Sequence, residues 1–244
     1  MSSKFWLVIA CLLVSCATPK PTRVLTISEQ MEVDTERAKN FFNEFQKRVT
    51  FVSNPAVVQY LDRMARKLAG VEPGLSLDSI QVKIHQDAGN PQLARPFAFP
   101  GTTLSIPLSF LEKVDYENEL AAMVSFELAN VIQRHLSKRM EQTSTPPTLF
   151  GDGSVFELDR PERAESIALG IRLEYYAGYD PRGMASVFQR YPEYFANESS
   201  ELDQKEVEFN VREAQKAKSE YLPSRDPIVR SAEFINMKRG LKRL

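Results

Sequence analysis

"ENELAAMVSFELANVIQRH", Glu117 to His135, is the stretch on which the fold turns. Leu120, Val124, Leu128, Val131, Ile132 and Leu136 recur at helical spacing and make one apolar stripe, which predicts a helix running to the end of the stretch. Upstream, "DSIQVKIHQD" alternates Ile80, Val82 and Ile84 with Gln81, Lys83 and His85, the pattern of a half-buried strand with His85 on its polar side. "PFAFPGTTLSIPLSFL" reads as strand, turn and strand, with the turn at Pro100-Gly101. Pro107 lacks a backbone donor, so the second of these strands is expected at a sheet edge. Further upstream, Asn54-Pro55 opens a helix carrying Val57, Leu61, Met64, Ala65 and Leu68, and Gly70 stops it. Residues 29–50 are helical in pattern, with Phe41, Phe42 and Phe45 on one side. Downstream, residues 143–154 are a loop by their proline, glycine and serine content. Helices follow from Pro161 to Tyr176, over "RGMASVFQRY", over a charged surface segment from Glu201 to Tyr221, and from Ile228 to Leu244. The expected class is α+β, mainly helical with one small sheet.

The chain has 244 residues, room for one large domain or two small ones. Its net charge of −1 supplies no general basic field, so nucleic acid is not an expected partner. The basic end, "KRGLKRL", is too short to change that and reads as a solvated helix end.

The first sixteen residues stand apart. Lys4 is the only charge in "MSSKFWLVIACLLVSC", and the apolar run from Phe5 to Val14 is short for a bilayer span. A positive start followed by such a run reads as a secretory signal. Its end, Leu13 to Cys16, resembles the bacterial lipobox, which implies cleavage before a lipidated Cys16. The expected organisation is a signal over residues 1–15, a lipidated cysteine and tether over 16–28, and one domain with C-terminal helices over 29–244. Ala17-Thr18 after the cysteine, with no aspartate, points by the bacterial sorting pattern to the outer membrane, facing the periplasm. The other cysteine, Cys11, leaves with the signal, so the mature chain has neither a disulfide nor a cysteine cluster for zinc.

"FAFPG", then "ENELAAMVSFELANVIQRH", then "GIRLEYYAGYDP" resemble, in that order, the HtpX-, Oma- and BepA-like zinc metallopeptidases, the family that includes CaaX prenyl proteases. The likeness runs from about Asn54 to Tyr191 and implies a zincin-like domain. In a zincin helix two histidines at i and i+4 point at one zinc, and the glutamate after the first takes a proton from the metal-bound water. Here those positions read Phe126, Glu127 and Asn130. The resemblance places the general base at Glu127, the two histidine ligands at Phe126 and Asn130, and the third ligand, a glutamate, at Arg163. The family's aspartate falls at Ile167, and a supporting histidine near the C-terminus falls at Asp226.

Phenylalanine has no lone pair for a metal, and asparagine offers only a carbonyl oxygen. Arg163 adds a positive charge where a dication would sit. The sequence therefore reads as a degenerate member of the family with no expected cofactor, and as a non-catalytic binder of polypeptides or envelope-assembly partners. The implied docking place is the expected edge strand over residues 102–108, where a partner adds as a further strand. Two other readings stay open: an active metalloendopeptidase using Glu127, His135 and Asp226, and a purely structural lipoprotein. Arg163 is expected to reach Glu127 or Asp226, and Phe126 to fill the former metal cavity. His85 and His135 are the only histidines in the chain, and both read as non-ligands.

Overall fold

The computed structural model describes residues 25–73, 80–90, 93–101, 103–142, 156–195 and 204–242. The expected signal, Cys16 and the tether up to residue 24 lie outside the described residues. Helix α1 (Ile27–Arg48) opens earlier than expected, taking two residues assigned to the tether, because Thr26 and Glu29 form a capping box. Strand β1 (Thr50–Val52) follows, and α2 (Pro55–Ala69) starts where Asn54 caps it and Pro55 needs no partner for a missing N–H.

A four-stranded mixed sheet follows from β2 (Gln81–Gln86), β3 (Phe97–Phe99) and β4 (Thr103–Pro107), in the order β1-β2-β4-β3. β1 and β2 are antiparallel, β2 and β4 parallel, and β4 and β3 antiparallel. The expectation of an edge strand over 102–108 is corrected here, since β4 is interior and both its sides are paired. Pro107 is tolerated because it is the last residue of the strand, where the chain turns into α3 (Leu108–Lys113). The edges are β1 and β3.

His85 is also corrected from surface to core: it is fully buried. One ring nitrogen lies 2.8 Å from Ser105 Oγ and the other 2.7 Å from the Leu93 carbonyl, so the ring is satisfied at both ends. Phe45 and Phe97 pack around it, with ring centroids 5.5 and 5.7 Å away. With Phe99, Leu136 and Phe156 these phenylalanines form a small second core under α1.

The main core lies between the sheet and α2, α4 (Glu117–Ile132), α6 (Arg160–Tyr176) and α7 (Arg182–Arg190). α4 is buried over almost its whole length. It stops short of the expected end: Arg134 has φ +60°, and α5 (His135–Gln142) starts in a new direction. That left-handed residue is held by a two-pronged ion pair of Arg134 with Asp34 of α1, at 2.7 and 2.9 Å. α6 begins at an Asp159–Glu162 capping box. Gly178, φ +81°, follows its end in the left-handed turn expected of it. A 3-10 turn (Pro192–Tyr194), α8 (Gln204–Lys218) and α9 (Ala232–Leu241) complete the described chain. α9 begins four residues after the expected Ile228, which instead bridges to Tyr179. The architecture is α+β, mainly helical with one small sheet.

Candidate functional site: a filled cavity between two helices

Where α4 and α6 cross, Gly170 lets the backbones approach. A Cβ there would stand 3.3 Å from the Phe126 backbone nitrogen and 2.8 Å from the Met184 methyl. The crossing brings Phe126 and Glu127 of α4 and Arg163 of α6 to one cavity, walled further by Arg95, Phe156, Leu158, Phe188, Tyr194 and Phe195. Three of the positions singled out in the sequence therefore share one small volume, although Arg163 lies far along the chain from the other two.

The cavity is nearly full. Phe126 meets Phe188 edge-on at 5.6 Å and Phe195 at 5.8 Å, while Phe188 and Phe195 meet at 4.7 Å. These aromatic contacts leave a cavity of about 20 Å³, space for roughly one water. The expectation that Phe126 fills the space with apolar surface matches this packing.

The charges are arranged differently from expectation. Glu127 is buried, and burial pushes its carboxyl up to about 7, against the opposing pull of the Arg95 charge and a hydrogen bond from Asn130. The cation acting on Glu127 is thus Arg95. Arg163 points elsewhere: its Nη2 donates to the Leu158 carbonyl at 3.4 Å, and its Nη1 lies 4.0 Å from Glu206 Oε2 of α8. The proposed reach of Arg163 to Glu127 or Asp226 is corrected accordingly. Burial lowers the Arg163 pKa, Glu206 counteracts that, and the neighbouring Arg95 and Arg160 charges lower it further. Arg95 and Arg163 both line the cavity, so a dication placed there would meet two guanidinium groups.

Asn130 works as a link between helices. Its Oδ1 accepts a hydrogen bond from Ser166 Oγ of α6 at 2.5 Å, and its Nδ2 donates to Glu127 Oε2 at 3.4 Å. His135 is buried and turned to the start of α6. Its Nε2 is 2.8 Å from Gln133 Oε1, and its ring nitrogens lie 3.9 Å from the Glu162 and Glu165 carboxylates. Burial lowers its pKa. Asp226 is exposed in the segment after α8 and is not among the residues walling the cavity. Among the described residues, no three His, Cys, Asp or Glu side chains are grouped to hold a metal ion.

Sequence reading missed Arg95, Phe188 and Phe195. Arg95 carried one weak signal, its position two residues before "FAF". The two phenylalanines, Phe188 in α7 and Phe195 after the 3-10 turn, carried none, because an aromatic residue reads as ordinary core until its neighbour across the fold is known.

No family model matches the chain. It is similar to the beta-barrel assembly-enhancing protease of Yersinia pestis, 23% identical over 190 aligned residues that cover 66% of this chain and 38% of that protein. It is similar in the same way to the proteins of that name from Escherichia coli (strain K12) and Shigella flexneri, each 21% identical over 194 residues, covering 68% of this chain and 38% of the relative. The chain thus spans well under half the length of the curated relatives it matches, and the similarity ties it distantly to peptidases.

Proposed function

We propose that this chain is a lipid-anchored envelope protein on a zinc-metallopeptidase scaffold, and that it binds polypeptide without cleaving it. The observation carrying this reading is the cavity at the crossing of α4 and α6. The positions that the resemblance assigns to two ligands are filled there by a phenylalanine and an arginine, with Arg95 as a second cation. Glu127 keeps the place of the general base, but with room beside it for about one water and, among the described residues, no metal ligand set to acidify that water. The relatives' name supplies the setting, beta-barrel assembly, with this chain serving there as a holder of clients or assembly partners. Strand addition falls to the edge strand β1, which is partly exposed, since β4 is interior and β3 is buried along its length.

The test is metal analysis of protein purified without chelator, paired with casein cleavage in the presence and absence of chelator. The reading expects metal far below one per chain and intact casein. Stoichiometric zinc with chelator-sensitive cleavage would overturn it in favour of an active endopeptidase.

A further inference from the structure

A second concave surface lies at the far end of α6, away from the cavity. Arg172 is nine residues beyond Arg163, about 13 Å along the helix axis. Between that end of α6 and the C-terminal turns of α2 runs an open groove of about 780 Å³, lined by Arg66, Lys67, Glu72, Arg172 and Tyr176 among others.

Its charge is one-sided. Among the described residues, three cations line it against a single carboxylate, and Glu72 is already paired with Arg172. Arg66 and Lys67 are exposed on one turn of α2, and neither has a carboxylate partner among the described residues. The two described carboxylates lining the adjoining hollow are committed elsewhere. Glu117 accepts from Tyr60 and from the Ser231 backbone at 2.9 and 2.6 Å, and Glu233 faces Arg63 at 3.8 Å.

The groove also has a prepared aromatic wall. Tyr176 is 64% exposed, yet Tyr175 and Tyr221 stack edge-on against it at 5.3 and 6.1 Å. A large side chain held in the open by neighbours loses little freedom on contact, which is why tyrosine and arginine serve as interface anchors.

We infer that the groove between α2 and the C-terminal end of α6 is a docking site for an acidic segment of another polypeptide, distinct from the cavity at the α4–α6 crossing. Concavity and the tyrosine wall favour an extended chain over a bilayer surface. A chain of net charge −1 gains no general attraction to anionic lipid either.

Fluorescence anisotropy with a labelled peptide alternating Glu and Ala, and with its Lys–Ala twin, tests this. The Glu peptide should bind and the Lys peptide should not. Arg66→Glu with Lys67→Glu should weaken binding by about tenfold or more, and added salt should weaken it too. Tyr176→Ala should weaken it several-fold. These side chains are exposed, but Lys67 lies 4.7 Å over the Tyr179 ring and both cations sit in the last turn of α2. The double variant should therefore stay folded and melt somewhat below the parent, while Tyr176→Ala should melt like it. Variants at Phe126 or Glu127 should leave the affinity unchanged, which separates this site from the cavity. Absence of binding, equal binding of both peptides, or affinity indifferent to the double variant would overturn the assignment. Binding to phosphatidylglycerol vesicles through the same cations without peptide binding would overturn it in favour of a lipid site.

Discussion

Glu127 is buried against aromatic rings with Arg95 on one side and Asn130 on the other. Its folded-state pKa, about 7, stands above the ordinary 4.5. A group raised in this way contributes stability that is fully present below pH 4.5 and is lost as pH rises through 7. One pKa unit corresponds to about 1.4 kcal/mol, so the contribution at stake is on the order of 3 kcal/mol. Glu127→Gln removes the titration, so its stability relative to the parent should rise by about 1–3 kcal/mol between pH 5 and pH 8, read from urea unfolding. Parallel pH profiles would show that the carboxyl is not held as described. At the same residues, Asn130→His should gain no zinc affinity, because Phe126 and Arg163 still stand at the other two ligand positions. Phe126→His, Asn130→His and Arg163→Glu together restore the three-ligand set of a catalytic zinc site. Zinc should then raise the melting temperature of the triple variant and leave the parent and single variant unmoved. Zinc binding by the parent would refute this account of the cavity.

At the scale of elements, polar contacts link helices and strands across the core. Asn130 with Ser166 joins α4 to α6, Arg163 with Glu206 approaches α8 from α6, and Arg134 with Asp34 holds the break between α4 and α5 against α1. His85 does the same for β2, bonding Ser105 of β4 and the Leu93 carbonyl. Burial lowers its pKa to about 4, while the unfolded chain protonates near 6.5. For a base lowered in this way, stability is complete above pH 6.5 and falls as pH drops toward 4. His85→Phe would suit the surrounding phenylalanine rings but leaves the Leu93 carbonyl without its donor. It should therefore cost about 1–3 kcal/mol at pH 8 while flattening the loss of stability between pH 6.5 and 4. Denaturant unfolding across that range checks both effects; an unchanged slope would mean that His85 is not the buried neutral group.

For the whole molecule, Glu127 and His85 act in opposite directions, one favouring acid and the other neutral pH. No described helix is long and apolar enough to cross a membrane. Membrane attachment in the proposed role is assigned to a lipid on Cys16. Cys16→Ala should release the protein from membranes in cell fractionation or leave it as the unprocessed precursor. Unchanged retention and mobility would remove the lipid anchor from the proposal. The groove between α2 and α6 would still be present in the released protein, because it is formed entirely by the folded domain.

Local patterns in the sequence were enough for the longer helices and for some of their ends, but not for the start of α1, the break after α4 or the start of α9. Asn54-Pro55 and Gly178 act through backbone groups one turn away, so they can be read without neighbours. The meeting of Phe126, Glu127 and Arg163 was legible through the resemblance, which aligned positions that no local period connects. Long-range pairing was not legible. β4 is interior because β2 and β3 both found it, which Pro107 at its last position does not prevent. His85 is buried because Ser105 and Leu93, distant in sequence or outside the strand, satisfy its ring. Arg95, not Arg163, acts on Glu127 because burial and charge depend on which side chains share a volume, and only the packed fold decides that.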